Sequence, residues 1–167
     1  MPETQPGDVI LVAGIHWDHG LGAGLLDAAI QWATDSPFHH AALVGHGVLI
    51  QALDTVGTAP LDTYTADGWL YRVDATADQR AAAIAAATRR LGTPYPASVL
   101  LDDAARDLLH LPIWARLTAS RLTCSGLVAW AYRAAGVRLT WAPLPSPADL
   151  SFSPRLEGFR PWRSPAV

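Results

Sequence analysis

The chain has 167 residues, half of them hydrophobic, which suits one domain with one sizeable core. Its 12 Lys and Arg against 15 Asp and Glu leave a net charge of -3, so there is no basic footprint for nucleic acid or an anionic membrane. The single cysteine excludes an internal disulfide framework and a thiolate zinc cluster, and it fits a reducing compartment.

The N-terminus, Met-Pro-Glu-Thr-Gln-Pro-Gly-Asp, is acidic and polar and lacks the basic and apolar regions of a secretory signal. No apolar stretch approaches the ~20 residues that would span a bilayer. The expectation is a protein that is cytoplasmic as synthesised, with lysis, a holin or association with a virion as other routes of release.

After a Pro6-Gly7 turn, residues 8–13 form an apolar run rich in β-formers and read as a strand. Residues 14–24 hold four glycines and two histidines and read as a loop. Residues 25–34 carry apolar side chains at helical spacing and end before Asp35-Ser36-Pro37. Residues 40–44 and 48–53 are β-runs joined by Gly45-His46-Gly47, a strong hairpin signal. Residues 57–60 break the chain, a turn follows near 61–66, and 69–73 is a further strand. Thr76 caps a helix that runs to Leu91 and stops at Gly92. Residues 97–109 read as helical, and 123–135 form a helix closed by Gly136. Residues 140–147 are loop-like, Pro147 to Leu150 is one helical turn, and an extended tail follows. With no repeat and no linker, residues 1–167 are a single α+β domain with helices flanking an antiparallel sheet.

Cys124 opens the helix Thr-Cys-Ser-Gly-Leu-Val-Ala-Trp-Ala-Tyr. There the positive end of the macrodipole and the unpaired N–H groups favour thiolate over thiol. A thiolate enzyme needs an imidazole beside the sulfur and a polar group behind the imidazole. The hairpin supplies both. If residues 45–48 close it, Ala42 opposes Gln51 and His40 opposes Leu53, which makes His40 and Gln51 diagonal neighbours on one face. The Gln51 amide oxygen would accept from one ring nitrogen and leave the other to face a sulfur. Taken alone, a histidine in an apolar strand is more often structural, and a lone buried cysteine is more often packing. The three together point to nucleophilic catalysis.

Leu91-Gly-Thr-Pro-Tyr95, Thr123-Cys-Ser-Gly-Leu-Val and Ala131-Tyr-Arg-Ala-Ala-Gly136-Val-Arg-Leu resemble the cysteine half of the NlpC-type cell-wall endopeptidases, which are papain-like cysteine hydrolases. Gly7-Asp-Val-Ile, Ser36-Pro-Phe-His-His40-Ala-Ala-Leu-Val and Leu49-Ile-Gln51-Ala precede the cysteine. That order is similar to the circularly permuted branch, which includes the YiiX-like proteins and the lecithin–retinol acyltransferase group. The resemblance covers about residues 7–139. It implies an NlpC-type fold, circularly permuted, with Cys124 as nucleophile, His40 as base and Gln51 as the orienting polar residue. It further implies Tyr95 as a substrate or oxyanion contact, beside Ser125 in the cysteine's own turn. Two positions depart from the pattern: Pro96-Ala97-Ser98 replaces a Gly-Gly, and Thr123 stands where an aspartate commonly precedes the cysteine. These leave the chemistry intact and bear on substrate preference.

The leading expectation is a cysteine peptidase or amidase that cleaves peptide amides, with peptidoglycan peptides as a candidate substrate. A lipid acyltransferase or thioesterase is the alternative within the same branch, and a non-catalytic module, for example of a phage particle, is the alternative outside enzymology. His16, Trp17 and His19 read as a loop over the active site that touches substrate. Two loop histidines beside Asp18 lack a defined set of further ligands, so no metal and no other cofactor is expected. His39 should be structural and His46 solvent-facing. Trp32, Trp69 and Trp130 lie in elements and read as core. Trp17, Trp114, Trp141 and Trp162 lie in looser regions, where they either line a groove or pack loops. Asp102, Asp103 and Asp107 read as a solvated helix face.

Overall fold

Runs of Val, Ile and Leu in the first half of the chain form most of a six-stranded sheet. The structure, a computed structural model, describes residues 3–14, 28, 31, 32, 35–53, 55–94 and 123–159. The strands are β1 (Val9–Ala13), β2 (Phe38–Val44), β3 (Val48–Ala52), β4 (Val56–Pro60), β5 (Gly68–Val73) and β6 (Leu156–Phe159). They are ordered β4-β3-β2-β1-β5-β6, and every neighbouring pair is antiparallel. Three helices complete the described fold: α1 (Ala77–Thr88), α2 (Cys124–Ala134) and α3 (Pro147–Ser151). The chain is α+β, as its patterning predicts.

Apolar side chains cover both faces of the sheet's centre. On one face Val9, Leu11, Leu43 and Ile50 pack with Ala83 and Ala87 of α1 and with Leu127, Val128, Ala131 and Tyr132 of α2. On the other, Ile10, Val12, Ala42, Val44, Leu49 and Leu70 form a second cluster, with Leu61, Tyr64 and Phe159 against it. Strand β1 and residues 41–44 of β2 therefore read as continuous apolar runs, buried on both sides, rather than as alternating ones.

The helix signals act as read. The Thr76 hydroxyl accepts from Gln79 N–H, and the Gln79 side chain accepts from Thr76 N–H, a complete capping box. Ser146 and Asp149 repeat the motif at α3, with Pro147 in the first turn. Ala28, Gln31 and Trp32 are helical, and the chain turns at Asp35 with φ of 46°.

The hairpin register is the expected one for Ala42↔Gln51, Leu43↔Ile50 and Val44↔Leu49. It ends there, however. His40 and Leu53 do not pair in that ladder, and Leu53 is 52% exposed. A bulge explains part of this. Val12 pairs His40 while Ala13 pairs Phe38, so His39 is the extra residue of β2 and the strand bends at that point.

Two further expectations are corrected. Residues 57–60 are not a break but belong to the edge strand β4, in which Gly57 opposes Gln51 and Pro60 opposes Val48. An edge tolerates a residue without an N–H. Trp32 is 69% exposed and not core, whereas Trp69 and Trp130 do pack against the core. His39 is buried and His46 exposed. The predicted helix at 97–109, most of the 14–24 loop, Trp17, Trp114 and Trp162, and Asp102, Asp103 and Asp107 lie outside the described residues.

Candidate active site

Thr123 builds the first turn of α2. Its hydroxyl accepts from Gly126 N–H at 2.9 Å, so threonine serves as N-cap where the resembling enzymes commonly carry aspartate. Residue 126 has to be glycine for this turn, because a Cβ there would lie 2.6 Å from the Thr123 oxygen. The cap places Cys124 at the first helical position, among the N–H groups that have no intrahelical acceptor. The apolar stripe Leu127, Val128, Ala131 and Tyr132 then docks α2 on the sheet. Fully burying each large apolar side chain of that stripe is worth about 1.5–3 kcal/mol. The Tyr132 hydroxyl donates to the Gly7 carbonyl at the entry to β1.

The docked helix brings Cys124 to His40. Both side chains are buried, each residue 7% exposed, and the sulfur is hydrogen-bonded to the His40 ring. The Ala41 and Ser125 backbone N–H groups also bond the sulfur. Burial is the largest single influence on this thiol and pushes its pKa up. The charge of His40, its hydrogen bond and the two N–H groups together outweigh burial and hold the thiol below its ordinary value.

Behind the imidazole, His40 Nε2 lies 2.8 Å from Gln51 Oε1. An amide oxygen only accepts, so Nε2 carries the proton and Nδ1 is the nitrogen left for the sulfur. Gln51 is itself buried, 6% exposed. The Tyr64 hydroxyl donates to the same Oε1 at 2.8 Å, and its ring lies 5.6 Å from the imidazole.

The structure thus brings together Cys124, His40 and Gln51. Ser125 contributes its backbone N–H, while its hydroxyl is committed to the Pro145 carbonyl at 2.5 Å in a site 1% exposed. Tyr95, His16, Trp17 and His19 lie outside the described residues. Tyr64 was not foreseen. It stands in the turn between β4 and β5, and no short-range pattern ties such a residue to Gln51 on β3, beyond the intervening β4. Among the described residues, no group of three or more His, Cys, Asp or Glu side chains could hold a metal ion.

No protein-family model matches the sequence, and no curated protein does. Among solved structures the chain is similar to the metalloprotein YiiX from Escherichia coli O157:H7, with a TM-score of 0.67 at 20% identity over 93% of this chain and 96% of that one. At that identity the likeness is one of architecture: the chain has the YiiX-like fold.

Proposed function

We propose that this protein is a circularly permuted, papain-like cysteine hydrolase that works by acyl transfer on peptide amide bonds, with peptidoglycan peptides as the substrate class. One observation carries the reading: a buried thiol at a helix start shares a hydrogen bond with an imidazole whose other nitrogen is held by a carboxamide. The choice of amides rests on the NlpC-type motifs around Cys124.

In this mechanism the Cys124 thiolate attacks the carbonyl carbon, a C–S bond forms, and the carbonyl electron pair moves onto oxygen. The Cys124 N–H at the helix start stabilises that oxyanion. His40 Nδ1 then delivers its proton to the leaving nitrogen as the C–N bond breaks. Water attacks the thioester and passes a proton to His40, and the sulfur leaves as thiolate. Gln51 holds the ring throughout.

The solved neighbour is a metalloprotein, which makes metal a question for this chain. Cys124 and His40 are the two soft donors of the site, and the groups beside them are a carboxamide, a phenol and backbone N–H. Among the described residues, two donors engaged with each other, without a third, do not fit a metal centre. No step is routed through one.

The test is incubation of the wild type and Cys124→Ala with muropeptides and with acyl esters, alongside circular dichroism. Wild type should release free amines from the peptides and carry a transient acyl mass on Cys124. The alanine variant should keep the fold and lose at least about 10³-fold in turnover. Full activity in that variant contradicts the mechanism. Turnover of esters alone contradicts the substrate class.

A further inference from the structure

Tyr64 is fixed in place by packing as well as by its hydroxyl. It packs against the cluster of Ile10, Val12, Ala42 and Leu49, and its carbonyl accepts from Gly68 N–H at 2.7 Å. A Cβ at residue 68 would lie 2.5 Å from that carbonyl oxygen, so glycine lets the turn close onto β5. Its ring is tilted 56° to the His40 imidazole.

A carboxamide has two unlike ends. With oxygen toward His40 it accepts the Nε2–H and leaves Nδ1 for the sulfur. Turned over, it presents NH2 to Nε2, which moves the neutral ring's proton to Nδ1 and sets a donor against a donor in the imidazolium. Gln51 alone does not choose between these. The Tyr64 hydroxyl biases the choice. As found, Oε1 uses its two lone pairs to accept from both Nε2–H and the hydroxyl, whereas turned over the phenol must reverse to accept from NH2 and send its own proton elsewhere. Resting on the reading of the site given above, we infer that Tyr64 is a positioning residue whose hydroxyl locks the Gln51 carboxamide with its oxygen toward His40, which keeps His40 paired through Nδ1 with Cys124.

The readout is the rate at which iodoacetamide alkylates Cys124 in the full chain at roughly pH 6, about two units below an ordinary thiol. Among the described residues, the groups facing the pair include Ala41 from β2, Gln51 from β3, Tyr64 from the turn and Ser125 from α2, and the charge named as acting on Cys124 is His40's. Tyr64→Phe keeps the ring and should slow alkylation about three- to tenfold, the size of one lost buried hydrogen bond. In a Gln51→Ala background the same substitution should slow it no further, because the hydroxyl acts through Gln51. In a Gln51→Glu background, where the two oxygens are equivalent, it should also be silent.

Equal slowing in all three backgrounds, or none in the wild type, overturns the role. A second measurement covers a variant that melts early. In Cys124→Ala protein with a neutral ring, the His40 nitrogen shifts should report Nε2–H, and adding Tyr64→Phe should give a mixture with Nδ1–H. An unchanged pattern also overturns the role. A wild-type thiol no faster than one in unfolded chain overturns the site itself, so the two failures are distinct.

Discussion

At the scale of single residues, the chemistry turns on which nitrogen of His40 holds a proton. Gln51 Oε1 decides that by accepting from Nε2, and the buried sulfur then meets Nδ1. Gln51→Ala leaves the buried ring without the Oε1 acceptor of its Nε2–H. A buried polar group deprived of its partner costs about 1–3 kcal/mol, so turnover should fall roughly ten- to a hundredfold, less than for loss of Cys124. Steady-state kinetics would check this, with kcat falling and KM nearly unchanged. The grouping of Cys124, His40 and Gln51 was legible in the sequence because each announces itself locally: a cysteine at a capped helix start, and a His and Gln set by hairpin register. Tyr64 was not, because its contact with Gln51 depends on how a turn folds back over the sheet.

At the scale of elements, short-range signals act where nothing competes with them. The Thr76 and Ser146 capping boxes, the Gly45-His46-Gly47 hairpin and the Thr123 cap all form as their sequences dictate. β4 was hidden because Val-Gly-Thr-Ala-Pro has poor strand propensity and is ordered by pairing with β3 at the sheet's edge. Trp32 misleads for the opposite reason: helical spacing says which side chains share a face, not whether that face finds a partner. The seating of α2 is the element-scale feature that matters to the site. Tyr132 is fully buried, and its hydroxyl reaches from α2 to the Gly7 carbonyl ahead of β1. Tyr132→Phe leaves that carbonyl without this donor and should cost about 1–3 kcal/mol in urea or guanidinium unfolding. A change below ~0.5 kcal/mol would show that the contact does not hold the helix.

At the scale of the molecule, a thiol from the second half of the chain meets an imidazole from the first half. The long-range geometry is what composition could not give, since it follows from a six-stranded order in which β2 lies inside the sheet and α2 covers it. Among the described residues no helix is long and apolar enough to cross a membrane. The whole arrangement makes one demand: burial alone would raise the Cys124 pKa, and His40 with the Ala41 and Ser125 N–H groups must more than reverse it. Titration of the Cys124 thiolate by ultraviolet absorbance, in wild type and in His40→Ala, measures that balance. The wild-type thiolate should persist well below the pH at which an ordinary thiol is half ionised, about 8.5. In His40→Ala, burial is left opposed only by two backbone N–H groups, so the midpoint should move upward, to or past that value. Equal midpoints in the two proteins would contradict the pairing on which the proposed chemistry depends.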